Sequence, residues 1–230
     1  MKGFFITFEG LEGTGKSTQA AALYDLLKKK GYPVYMTREP GGTAIGDKIR
    51  DILLDPENKE MCYVAEIMLY AASRAQLVHQ TLRPYLEEGY IIICDRFVDS
   101  TIAYQAFGRD IPLNVVRDIN SSAIWNLTPN ITFYLDLKPE DSLRRVKLRI
   151  EENEEIPDRL EREKIDFFRK VREGYMSLVN DEPFRFRLID ASAGPQEIHD
   201  KIVEITEREL KKADIHRKKE EHRFSPKDFF

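Results

Sequence analysis

The chain is poor in cysteine, nearly balanced in charge and without a long apolar run, and each shortage excludes something. Its two cysteines, Cys62 and Cys94, show no metal-ligand spacing, so neither a disulfide framework nor a structural zinc site is expected. Both are expected to be packing residues. The 36 Lys+Arg against 40 Asp+Glu give a net charge of -4, which provides no global positive field for non-specific binding of nucleic acid or anionic membrane. Any bound anion must be held by local structure. The longest charge-free run, Ile119 to Leu135, is 17 residues and includes Asn120, Asn126, Pro129 and Asn130, which disqualifies it as a membrane span. The apolar stretch Phe4 to Phe8 is cut by Glu9 and lacks a small-residue cleavage site, so no signal peptide is read and the cytoplasm is the expected address.

What is present is the make-up of one globular α/β domain: 230 residues, 42% hydrophobic and 33% charged. Apolar runs rich in β-branched and aromatic residues recur at Phe4–Phe8, Val34–Thr37, Ile91–Cys94, Ile131–Leu135 and Arg187–Asp190, and are read as five strands. The first three are uniformly apolar, which predicts burial on both faces of a parallel sheet. Helical periods lie between them. Ala20, Leu23, Leu26 and Leu27 form one stripe ahead of the stop at Gly31, and Ile49, Ile52 and Leu53 form another. Cys62–Leu86 reads as one long helix, followed by helices over Leu113–Trp125, Ser142–Ile150, Ile165–Val179 and Gln196–Lys211. Alternating strands and helices predict a three-layer α/β/α fold with a five-stranded parallel sheet, and place ligands at the carboxyl ends of the strands.

The first strand runs into Gly10-Leu11-Glu12-Gly13-Thr14-Gly15-Lys16-Ser17-Thr18, which fits the phosphate-loop pattern G-x-x-x-x-G-K-S/T. Glycines there let backbone N–H groups converge on phosphate oxygens, and the helix beginning near Lys16 adds its positive end. Lys16 is expected on the β- and γ-phosphates, with the Ser17 hydroxyl on Mg²⁺. The third strand delivers Asp95 to the same edge, where its carboxylate suits Mg²⁺, and Arg96 follows to face a phosphate. No guanine reader of the Asn-Lys-x-Asp type follows a later strand, so a guanine-nucleotide switch is disfavoured. Arg38, Arg50, Arg74 and Arg96 offer positive charge for an anionic acceptor from four separate segments.

The segments Phe8 to Ser17, Thr37-Arg38-Glu39-Pro40-Gly41-Gly42, Tyr70-Ala71-Ala72-Ser73-Arg74, Asp95-Arg96 with Ser100 to Gln105, and Asp158-Arg159 together resemble the thymidylate kinases of the bacterial type, in order and at the family's spacing over residues 3 to 210. The resemblance implies a single P-loop kinase domain over 1–210, with a small lid around 143–160 and a charged extension over 211–230. It implies ATP and dTMP as substrates, no nucleic-acid or membrane partner, and a homodimer packed through the long helix that begins at Cys62. Thymine would stack on Tyr70, and Arg74 would bond its O4. Thr101 and Gln105 would read the base edge. Tyr104 would lie under the sugar and exclude a ribose 2′-OH. Arg50 and Arg96 would clamp the acceptor phosphate, the Arg38-Glu39 loop would close over it, and Glu12 would sit near the sugar and metal. In the bacterial type the lid supplies the arginines, and the position of Gly13 lacks an arginine that other members carry. Arg149 is expected to act in the transition state, with Lys147 as second choice. The acceptor is already a phosphate, so no general base is needed: alignment and charge neutralisation suffice.

Two features depart from the family pattern. The segment Ile150 to Pro157 is longer and more acidic than the usual lid turn, and places carboxylates beside Arg149. The tail from Lys211 to Phe230, with seven Lys/Arg and four Asp/Glu, lies outside the pattern and reads as a solvated extension. Two other functions remain open: a P-loop kinase for a different nucleoside or monophosphate, and a nucleotide-binding regulator without turnover.

Overall fold

A computed structural model describes residues 2–154 and 156–216. At its centre a five-stranded parallel sheet runs in the order β2-β3-β1-β4-β5. The strands are β1 (Phe4–Glu9), β2 (Val34–Arg38), β3 (Ile91–Asp95), β4 (Ile131–Asp136) and β5 (Phe186–Asp190). Between them come α1 (Lys16–Lys29), α2 (Ala44–Leu54), α3 (Tyr63–Leu77), α4 (Arg83–Glu87), α5 (Val98–Thr101), α6 (Leu113–Ile124), α7 (Pro139–Asn153) and α8 (Ile165–Asp181), with α9 (Pro195–Lys212) last. This is the α/β architecture with five parallel strands that the sequence predicts.

β1 is central, and its side chains alternate between two cores as the pleat requires. Phe4, Ile6 and Phe8 pack with Ala20, Leu23 and Leu27 of α1 and with Ile198 and Ile202 of α9. Phe5 points the other way, into a cluster with Leu77, Leu82 and Leu86. Each such side chain contributes about 1.5–3 kcal/mol by leaving water. In-register pairing aligns the strand ends: Phe8 faces Asp95, Arg38 faces Asp95, and Glu9 faces Tyr134. One sheet edge therefore collects Glu9, Arg38, Asp95 and Asp136.

Several expectations are corrected. β2 is an edge strand with β3 as its one neighbour, and its residues are half-buried or exposed rather than buried on both faces. An apolar run this short does not reveal how many neighbours a strand has. The single helix expected over Cys62–Leu86 breaks regular pitch, because a π-helical turn at Val78–Leu82 separates α3 from α4. Pro84 supplies the reason: it has no N–H for the Gln80 carbonyl and its ring crowds that carbonyl. Cys62 is exposed and caps α3, its Sγ accepting from Ala65 N at 3.5 Å, whereas Cys94 is buried as expected. A helical stretch over Val98–Gly108, absent from the sequence reading, consists of α5 and a π-helical turn at Ile102–Gly108. Its buried Ala103, Tyr104 and Gln105 are consecutive, so no 3.6-residue stripe announces it. Of the charged extension, 217–230 lies outside the described residues, and α9 carries the fold past residue 210.

Candidate active site

The loop between β1 and α1 is shaped by close approach. Gly10 has φ +144°, and a Cβ there would lie 2.6 Å from the Leu135 carbonyl oxygen. At Gly13, φ +70°, a Cβ would meet Ser142 O at 3.0 Å and Arg145 Cβ at 3.1 Å, so the loop lies directly against α7. Ser142 Oγ fastens that contact by donating to the Glu12 carbonyl at 2.6 Å. Gly15 precedes α1 with no side-chain cap, which leaves the first-turn N–H groups for an anion. Lys16 Nζ donates to Leu11 O at 2.6 Å from a buried position. Burial first, then the Arg96 charge, lowers its pKa to about 8.

Ser17 Oγ donates to Asp95 Oδ2, while Asp95 Oδ1 is buried and has no partner. A hydroxyl touching a carboxylate with an unsatisfied oxygen is a donor set suited to a hard divalent cation. Among the described residues no group of three His, Cys, Asp or Glu side chains converges on a point. The residues thus fit a Mg²⁺ completed by nucleotide phosphates and water, rather than a cage built wholly by protein.

Arg96 follows at φ +70°, a left-handed conformation costing on the order of 1–3 kcal/mol for a non-glycine residue. Its surroundings hold it there. Its N–H donates to Phe8 O at 2.9 Å, and its guanidinium donates to Gly10 O at 2.9 Å, to Glu12 Oε1 at 2.8 Å and to the Tyr104 hydroxyl at 3.2 Å. Buried Glu9 accepts from Phe97 N at 2.7 Å, Ser100 Oγ at 2.6 Å and the Tyr175 hydroxyl at 2.8 Å, which fixes the turn after Arg96. Burial, then the Asp99 charge, raises the Glu9 pKa to about 7.

A cavity of about 1180 Å³ joins this loop to the residues expected to hold an acceptor. Glu12, Gly13, Gly15, Lys16, Ser17, Thr18 and Asp95 line it together with Arg38, Glu39, Arg50, Tyr70, Arg74, Arg96, Thr101, Tyr104, Gln105 and Arg149. Gly10, Leu11 and Thr14 do not. They lie beneath the loop, Leu11 in the core and Thr14 Oγ1 donating to Leu11 O at 2.9 Å.

Arg74 is 1% exposed, and Glu39 accounts for that burial. Arg74 Nε donates to Glu39 Oε2 at 2.7 Å, Nη1 to Asn120 Oδ1 at 2.8 Å and Nη2 to Phe97 O at 3.2 Å. Burial raises the Glu39 pKa while Arg74 opposes the rise, and Glu39 Oε1 has no partner. Tyr104 donates to Glu12, Gln105 Nε2 donates to Glu66 Oε1 at 2.9 Å, and Thr101 Oγ1 is buried without a partner. Burial also pushes the Tyr70 hydroxyl pKa up, so it is a neutral phenol.

Among the described residues Lys16, Arg50 and Arg145 rest on the backbone carbonyls of Leu11, Pro40 and Gly13 and form no ion pair, whereas Arg38, Arg74, Arg96 and Arg149 each meet a carboxylate. Arg145 was missed in the sequence, although its i, i+4 spacing to Arg149 signals a shared face of α7. Lys147 is the correction: two residues from each arginine, it is 77% exposed, pairs with Glu151 at 3.7 Å and does not line the cavity. Arg149 pairs with Glu161, which comes from beyond the acidic lid segment. Asn120 was also missed. It interrupts the stripe Val116, Ala123, Ile124 with a buried amide, which is a signal in its own right.

The family model for "Thymidylate kinase" matches residues 8–202. A thymidylate kinase of Halothermothrix orenii is 48% identical over 202 residues, 88% of this chain and 95% of the relative. One from Thermoanaerobacter sp. (strain X514) is 44% identical over 210 residues, 91% of this chain and all of the relative. The crystal structure of thymidylate kinase from Ehrlichia chaffeensis superposes with a TM-score of 0.71 at 28% identity, covering 90% of this chain and 99% of that one. With the family model matching residues 8–202 and with these relatives aligned along nearly its full length, the chain belongs to the thymidylate kinase family.

Proposed function

We propose that the protein transfers the γ-phosphoryl group of ATP to dTMP, yielding dTDP and ADP for dTTP synthesis. The observation that carries this reading is the single cavity in which the phosphate loop meets Tyr70, Arg74, Thr101, Tyr104 and Gln105. ATP phosphates lie on the first-turn N–H groups of α1 and on Lys16. Ser17 and Asp95 would hold Mg²⁺, which when bound would offset the charge of the phosphates.

No general base takes part. The dTMP phosphate is mostly dianionic at pH 7, its second pKa being near 6, and attacks once repulsion between the two anions is offset. Arg50 and Arg96 neutralise and orient the acceptor; Arg38 and Glu39 form the loop beside it. Arg145 and Arg149 come from the lid, residues 143–160, and meet charge that develops on the transferring group. Gly13 makes this division of labour physical: with α7 so close, the loop has no room for a side chain, so lid arginines take that place. Tyr70 stacks on thymine, Arg74 bonds O4, Thr101 and Gln105 read the base edge, and Tyr104 beside Glu12 rejects a 2′-OH.

The enzyme acts as a cytoplasmic homodimer. Among the described residues no helix is long and apolar enough to cross a membrane. Ile45 and Ile52 on α2, Val64 and Met68 on α3 and Val115 on α6 are exposed apolar side chains on neighbouring helices, a surface that a second copy covers. ADP release with ATP and Mg²⁺ tests the activity against dTMP, dUMP, ribo-TMP, dCMP, AMP and thymidine in turn. Turnover confined to dTMP, with dUMP weaker, is the expected result. Strong turnover of another acceptor discards the roles of Tyr70, Arg74 and Tyr104, and nucleotide binding without turnover discards the activity.

A further inference from the structure

A second cavity, of about 310 Å³, lies outside the nucleotide site between the loop after α2 and the segment joining α7 to α8. It is lined by Pro56, Lys59, Met61, Tyr63, Arg109, Arg159, Arg162 and Glu163, thus by four cations and one carboxylate. Its floor is buried. Glu66, 0% exposed, lies 3.3 Å from Arg109 and 2.6 Å from Arg159, and Glu163 lies 2.5 Å from Arg109 Nη1. These two carboxylates balance the two floor arginines. Lys59 and Arg162 at the rim are then in excess: Lys59 meets exposed Glu57 at 3.7 Å, a weak pair, and Arg162 has no carboxylate partner among the described residues.

The floor is also incompletely satisfied. The Arg159 side chain is nine-tenths buried and its Nη2 has no hydrogen-bond partner, although Nε donates to Leu53 O at 3.0 Å. A buried guanidinium nitrogen left without an acceptor is destabilising, and an anion drawn into the cavity would supply one. Arg109 is held between the rings of Tyr63 and Phe167, at 4.8 and 4.5 Å, so the floor is rigid before anything binds.

We propose that this cavity is a second anion site, taking a phosphate or small phosphate ester between Arg159, Arg162 and Lys59. A bidentate guanidinium and a rim ammonium match phosphate chemistry, and the volume excludes a whole nucleoside triphosphate. Such an anion would tie the loop of Lys59 to the chain that leaves the lid, since Asp158, next to Arg159, lines the nucleotide cavity.

The full chain saturated with the β,γ-imido analogue of ATP and with dTMP, which together fill the main cavity without phosphoryl transfer, provides the test. Inorganic phosphate and pyrophosphate serve as free anions and ribose 5-phosphate as the ester, each followed by isothermal titration calorimetry against a chloride control. The expected result is a further single site of millimolar or better affinity, weakened tenfold or more by Arg162→Glu and by Lys59→Glu, both exposed positions that leave nucleotide binding unchanged. Tighter binding of ribose 5-phosphate than of phosphate identifies an ester as the ligand, and the reverse identifies a free anion. Absence of heat above the chloride control, or equal binding by both variants, overturns the proposal. Because the readout is binding outside the nucleotide site, its failure would leave the phosphotransfer reading intact.

Discussion

Arg74 is enclosed by Glu39, Asn120 and the Phe97 carbonyl, whereas Arg50 and Arg145, in the same cavity, each meet one backbone carbonyl. On the function proposed above, the difference matches what each end of the cavity would do. A residue that reads a base has to hold one donor in one place, and a buried carboxylate and amide fix its plane at the expense of adaptability. Residues that neutralise a transferring phosphoryl group need charge without a competing carboxylate, and a carbonyl releases them readily. Arg96 stands between the two cases, paired with Glu12 yet also bound to Gly10 O.

The largest expected effect lies at the phosphate end. Lys16→Ala should lower kcat by roughly 10³-fold or more, with circular dichroism and melting temperature nearly unchanged, because its contact is a carbonyl and not a partner charge. Near-normal turnover by folded variant would remove the phosphate-loop role. At the base end the loss should appear in stability as well. Arg74→Ala leaves Glu39 buried without its cation and should cost about 3–5 kcal/mol in urea unfolding. Arg50→Ala should cost far less stability and mainly raise the KM for dTMP. Since the Glu39 pKa is raised in the folded state, the Arg74→Ala penalty should be relieved below the unfolded carboxyl value and grow as pH rises above it. A penalty independent of pH would show that lost packing, not the stranded carboxylate, is the cause.

Smaller effects sharpen the contrast on α7. Arg145→Ala should reduce kcat by about 10–100-fold with little change in either KM, while Lys147→Ala should be silent. Equal effects from both would mean that the whole basic face acts. A pH profile gives the mildest test: with the Lys16 pKa at about 8, ATP affinity in the absence of acceptor should fall as pH rises through that value, and remain flat below it. Bound phosphate favours the charged amine, so a profile flat to pH 9 would show that Lys16 stays protonated in the free enzyme.

The legible part of this molecule is that governed by short-range rules. Gly10 to Thr18 announces its turn because phosphate binding demands particular residues at fixed spacing. The five strand positions follow from apolar runs between helical periods. The segment Val98–Gly108 was opaque because π-helical turns shift the phase of its buried residues, hiding Tyr104 and Gln105 as helical while their identities remained readable through resemblance. Lys147 is the second choice after Arg149 in the sequence, although a helical wheel puts Arg145, and not Lys147, on the face of Arg149.

The sequence by itself determined the fold class, the phosphate loop and which residue types stand at the sheet edge, because backbone sterics and apolar periodicity act over a few residues. Tertiary structure alone decided that β2 lies at the edge, that Glu39 and Asn120 hold Arg74, and that α7 covers Gly13. Those contacts join residues 35 to 132 positions apart, and their energies depend on burial and on the charges that packing brings together.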